Sequence, residues 1–156
     1  MIANILSPER YFKRFMKSRI PQLRADLSKM IEALLLNIAD EEECNPFELA
    51  LILSKRDNLA LGRVVNAERK ILREMDAGAI IQDLFLRQIA ALPEAIKEMV
   101  VAKLGDEDVN VMTTNSLTNR SLVIKYNQDY ELMFVEVTKE GSKILDLDKF
   151  FNNLKF

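Results

Sequence analysis

Apolar positions recur every three or four residues over the first two thirds of the chain and every second residue over the last third. The helical spacing begins after Ser7-Pro8-Glu9, a start signal combining a capping hydroxyl, a proline where no amide is needed and an acid at the positive end of the dipole. Tyr11, Phe12, Phe15 and Met16 form the apolar stripe of this first helix, and Arg10, Lys13, Arg14 and Lys17 form its opposite face. Leu23, Leu27, Met30, Ile31, Leu34, Leu35 and Ile38 continue the helical spacing after Pro21. Asn45-Pro46-Phe47-Glu48 predicts a third helix, and Asp57-Asn58 a turn to a fourth carrying Val64, Val65, Ile71, Leu72 and Met75. Ile80, Ile81, Leu84, Phe85 and Ile89 carry the next helix, and Pro93-Glu94 opens a short last one ended by Gly105.

After Asp106-Glu107-Asp108 the period changes to two. Segments 109–114, 121–126, 130–138 and 143–147 predict four short strands with turns at Asn115-Ser116, Asn127-Gln128-Asp129 and Lys139-Glu140-Gly141-Ser142. Connections this short favour an antiparallel meander, and Asp148 would cap a short terminal helix holding Phe150, Phe151 and Leu154. The expected architecture is α+β: a helical body of about five to six helices, then a four-stranded meander and a terminal helix. A meander of this size needs its apolar face covered, so residues 1–156 are expected to form one domain, helical over residues 1–105 and β-rich over residues 106–156.

Composition agrees with that division. Every alanine lies at or before Ala102 and every threonine at or after Thr113, which places the best helix former first and a strand former last. The 156 residues are 49% hydrophobic and 29% charged, which suits one ordered domain and disfavours disorder. There is no internal sequence repeat. Neither a secretory leader nor a stretch long enough to span a bilayer is evident, so a cytoplasmic location is expected. The lone Cys44 allows no intrachain disulfide.

Most catalytic chemistry lacks its residues. Histidine is absent, which removes the commonest general base and metal ligand. Four isolated glycines make neither a P-loop nor a dinucleotide fingerprint. The acidic runs at residues 40–43 and 106–108 read as solvated helix ends, and Cys44, next to the first of them, as an unreactive thiol. No enzyme activity, metal or cofactor is expected.

Charge is segregated. Residues 1–30 carry seven Lys or Arg against Glu9 and Asp26, whereas residues 31–60 carry seven acids against Lys55 and Arg56. The leading expectation is a non-catalytic protein-interaction module (an adaptor, inhibitor or assembly factor) that contacts another protein through Arg10, Lys13, Arg14 and Lys17 and a small sheet. A homodimer is a second form of the same idea. The sequence Leu132-Met133-Phe134-Val135 supplies apolar residues to both faces of a strand, which suggests cover on both sides. One alternative is a DNA-binding regulator with a helix-turn-helix in 47–73, using Arg63, Asn66, Arg69, Lys70 and Arg73; the net charge of −2 weighs against it. Another is a small-ligand cradle between sheet and helices.

Overall fold

A computed structural model describes residues 8–102 and 104–154. Helices α1 (Pro8–Ser18) and α2 (Ile20–Glu41) come first, then a 3-10 turn (Pro46–Glu48). The expected Ser7 cap of α1 lies outside the described residues. Three strands follow, β1 (Ala50–Arg56), β2 (Leu59–Val65) and β3 (Ile71–Asp76), then helices α3 (Ala77–Ile89), α4 (Glu94–Val101) and α5 (Asp106–Ser116). Strands β4 (Ser121–Tyr126), β5 (Leu132–Thr138) and β6 (Gly141–Ile144) and helix α6 (Leu147–Asn152) complete the chain. The fold is α+β, built on a six-stranded antiparallel sheet of order β3-β2-β1-β4-β5-β6.

Two expectations are corrected. The first is the helical reading of 47–73, and with it the helix-turn-helix: the segment forms β1, β2 and the start of β3. Asp57 takes a left-handed φ of 58° and closes a two-residue loop between paired Arg56 and Leu59, a conformation that aspartate tolerates. Asn66 then organises the β2–β3 turn by accepting from the amides of Glu68 and Lys70. Arg63, Asn66, Arg69, Lys70 and Arg73 are thus spread over two strands and a turn, with no recognition helix to carry them. The second correction concerns 109–114, which is helical. Val109-Val111-Thr113 imitates strand alternation, yet Val109, Met112, Thr113 and Leu117 are the buried positions and Val111 is exposed. That is helical spacing, and packing of α5 on α3 overrides the local strand preference. The sheet therefore has six strands, not four, and the chain does not divide into a helical body before 105 and a β-rich end after it.

Other expectations hold. In α2 the buried positions Leu23, Leu27, Ile31, Leu35 and Ile38 follow the anticipated stripe. Strands β4 and β5 lie where the alternation puts them, joined by a turn in which Asn127 accepts from the amides of Asp129 and Glu131. This turn and the Asn66 turn have the same construction, including a left-handed residue at the fourth position (Arg69, Tyr130). The terminal helix forms as expected, but its cap is Asp146 and not Asp148: the Asp146 carboxylate accepts from the Lys149 amide, and Asp148, inside the helix, pairs with Arg24 of α2.

The topology contains a duplication that the sequence does not display. Helix α2, the meander β1-β2-β3 and helix α3 are followed by α5, the meander β4-β5-β6 and α6. The two meanders join through antiparallel β1 and β4, centred on the Ile52–Val123 pair. Buried side chains from Phe12 to Leu154 form one hydrophobic cluster.

Candidate interaction surface

In an antiparallel sheet, directly opposed residues project to the same face. Following the register across all six strands separates two faces. One carries Leu51, Leu53, Ala60, Val64, Leu122, Ile124 and Phe134, all buried and all in the hydrophobic cluster. The helices cover this face. Gly62 also lies here, and an added Cβ would meet Met75 at 3.0 Å and Leu53 at 3.3 Å, so the sheet surface is closely packed at that point.

The opposite face is largely apolar, and no described helix covers it. Its central row runs Glu74, Arg63, Ile52, Val123, Val135 and Ile144 from β3 to β6. A row on one side runs Asp76, Leu61, Ser54, Ser121, Val137 and Ser142. The row on the other side runs Ile71, Val65, Ala50, Lys125 and Met133. No residue of these three rows is buried, and none belongs to the apolar side chains packed against the core. Ile52, Leu61, Val65, Val123, Met133, Val135 and Val137 are half-buried, Ile71 is 45% exposed and Ile144 66% exposed. Isolated exposed apolar residues are ordinary, but a contiguous apolar patch marks a contact surface.

Arg63 lies in the middle of this patch. Its Nη2 donates a long 3.4 Å bond to Ser54 Oγ, and its Nε is shielded from solvent without a hydrogen-bond partner. Glu74 is opposite it on β3, but the two form no ion pair. A guanidinium with an unpaired donor on an apolar surface is a polar group suited to an incoming acceptor.

Helix α1 presents the other anticipated surface. Phe12 and Met16 are buried, and Tyr11 and Phe15 pack partly against the core. Arg10, Lys13, Arg14 and Lys17 are exposed, and Lys13, Arg14 and Lys17 have no ion-pair partner among the described residues. The acidic segment that follows does not neutralise Lys13, Arg14 or Lys17. Its Glu41 and Glu42 instead hold Arg73 of β3 at 2.5 and 2.7 Å, which raises the Arg73 pKa, chiefly through the hydrogen bond to Glu41 and then that to Glu42. Of the five residues expected on a DNA-reading helix, Arg63 faces the open sheet surface, Asn66 is spent on its turn, Arg69 and Lys70 are in that turn, and Arg73 is paired.

A smaller feature is invisible in the sequence. Phe47 of the 3-10 turn stacks edge-on against Tyr126 at 5.0 Å and tilted against Tyr130 at 4.5 Å. Tyr126 is partly sunk here, and that burial, with a smaller contribution from Glu32, raises its phenol pKa. The three residues are scattered over 84 positions of chain in unrelated turns, so no spacing announces them.

Among the described residues no three His, Cys, Asp or Glu side chains could hold a metal ion. The buried Gln88 receives Arg19 at 3.1 Å and donates to Asp26 at 2.6 Å, which ties α2 to α3. The void between sheet and helices lined by Leu53, Ile81, Leu117, Leu122 and Phe150 measures about 10 Å³, scarcely room for one water. No helix among the described residues is long and apolar enough to cross a membrane.

Compared with known protein families, curated proteins and solved structures, the chain matches none.

Proposed function

We propose that this chain is a non-catalytic protein-interaction module. The observation that carries the reading is the apolar face of the sheet, which the chain's own helices leave open. A sheet with both faces apolar is at home between two layers, and the described residues supply only one. The exposed cations Arg10, Lys13, Arg14 and Lys17 on α1 form a second contact, one that steers an acidic protein surface toward the molecule.

Purification of the full chain from its source cells, followed by native mass spectrometry, tests this. The expected result is a complex of fixed stoichiometry, with either a second copy or another protein. A variant with Val123→Lys loses it, and a variant with Arg10, Lys13, Arg14 and Lys17 all changed to Gln forms it more slowly, with a weaker salt dependence. A wild-type chain that is recovered from its source cells without a partner and also remains a monomer up to about 100 μM would refute the proposal, since specific stable complexes of ordinary interface size form well below that.

A further inference from the structure

We propose that the open face is covered by the same face of a second copy of this chain, in a twofold dimer whose axis runs along the β1–β4 seam. This rests on the interaction-module reading and names the partner. Three observations support it.

The first is area. Six strands spaced by about 4.8 Å, each rising about 3.3 Å per residue over six or so residues, give a face of roughly 500–600 Å² in projection. Side-chain relief adds to that, bringing it near the roughly 800 Å² that each partner of a standard interface contributes. The face is therefore large enough for a stable dimer without help from any other element.

The second is self-complementarity of shape. A rotation of 180° about an in-plane axis along the seam keeps the strands aligned, as aligned sheet packing requires. It lays β1 on the partner's β4, β2 on its β5 and β3 on its β6. Ile52 then opposes the position of Val123, Leu61 that of Val137 and Val65 that of Met133, which follows from the paired rows of the register. The duplicated meanders make this possible, because β1 and β2 of one copy meet β4 and β5 of the other largely through apolar side chains.

The third is charge. Glu74 and Asp76 line the open face at the β3 edge. At the opposite edge the open face carries the uncharged Ile144 and Ser142 of β6, because Lys143 pairs with Glu136 on the other face. The seam axis lays Glu74 over the position of Ile144 and Asp76 over that of Ser142, so the acidic edges of the two copies do not meet. An axis perpendicular to the strands would instead stack β3 on β3 and set Glu74 against Glu74, and Arg63 against Arg63.

Sedimentation velocity on the full chain tests association. Twice the 17.9 kDa chain mass is expected, and Val123→Lys should lower the mass to that of one chain by weakening the dimer at least about 100-fold, while Val123→Leu keeps it. Circular dichroism melts of both variants show whether each still folds. Cross-linking then tests the axis. In a Cys44→Ser background, chains with Glu74→Cys are mixed with chains carrying Ile144→Cys and treated with a bismaleimide spanning about 10 Å, the distance between packed sheets. The mixture should cross-link and neither chain alone should do so. Cross-linking of Glu74→Cys chains to themselves would overturn the axis. A wild-type monomer would overturn the dimer; if that monomer still binds another protein in a manner abolished by Val123→Lys, the module reading survives, and if it binds none, both fall.

Discussion

Gly78 of α3 lies against the Asn110 side chain of α5, and replacing it with alanine tests that packing. A Cβ built there falls 1.7 Å from Asn110 Oδ1 and 2.9 Å from its Cγ, with the capping oxygen of Asp76 at 3.1 Å. In an open helix, glycine to alanine would stabilise by up to about 1 kcal/mol. Here the Asn110 carboxamide must leave its rotamer, and rotation about its χ1 carries both Oδ1 and Cγ away from the new methyl. A side chain forced from its preferred rotamer costs about 0.5–1.5 kcal/mol. That cost nearly cancels the gain in helix propensity, so Gly78→Ala should change stability by less than about 1 kcal/mol, or within roughly 3 °C in melting temperature for a chain of this length. Asn110 is exposed, so Asn110→Ala alone should change stability by less than about 0.5 kcal/mol. In that background Gly78→Ala meets no carboxamide and should stabilise by up to about 1 kcal/mol. The coupling between the two sites is thus about 0.5–1.5 kcal/mol, at the lower end of the range found for contacting residues. Thermal melts followed by circular dichroism at one protein concentration measure all four corners of the cycle. If Gly78→Ala has the same effect with and without the Asn110 side chain, the close approach of the two helices is wrong.

Further predictions address other regions of the molecule. Leu35 in α2 is fully buried, so Leu35→Ala should cost about 2–5 kcal/mol in urea unfolding, whereas Val123→Ala on the open face should cost a chain held monomeric less than about 1 kcal/mol; equal losses would mean that the open face is covered within the chain. Arg73→Ala should lower the melting temperature at low ionic strength, with the difference fading near ~1 M salt because its carboxylate partners are solvent-accessible. A deficit that persists in high salt would mark packing, not charge, as its role. The raised pKa of Tyr126 means that its neutral form is favoured in the folded chain, so its contribution to stability is intact below the unfolded value near pH 10 and is lost as pH rises above it. Tyr126→Phe should therefore show a smaller decline in urea midpoint between about pH 9.5 and 11 than the wild type. Parallel declines would refute the burial of its hydroxyl.

Much of the fold is legible where one face of an element is wet. The stripe from Leu23 to Ile38 is flanked by polar residues and folds as its spacing predicts, and β4 and β5 follow from alternation and the Asn127 turn. Strand β1 is hidden for the reason that makes the surface interesting. In Ala50-Leu51-Ile52-Leu53 the odd positions enter the core and the even ones lie on the open face, and both are apolar. A strand with two apolar faces loses the period of two and reads like a helix segment. Helix α5 is disguised by the opposite accident, a Val-Asn-Val-Met-Thr order whose alternation is coincidental. The basic face of α1 is fully legible, since it needs only local helical geometry. The open face requires the pairing of segments far apart in the chain, which no local pattern encodes.

The β1–β4 seam also dictates an order of events during folding. Its partners, such as Leu53 and Leu122, stand about 70 residues apart, and loop closure over that distance is slow compared with forming a hairpin. During synthesis the meander β1-β2-β3 and helices α2 and α3 emerge first, and until β4 leaves the ribosome β1 is a bare edge flanked by apolar side chains on both faces. Such an edge is a template for unwanted pairing with a neighbouring nascent chain. A pause in translation between residues 77 and 120 would prolong that exposure, so the yield of folded protein should depend more on how fast this stretch is synthesised than on the stability of the finished molecule.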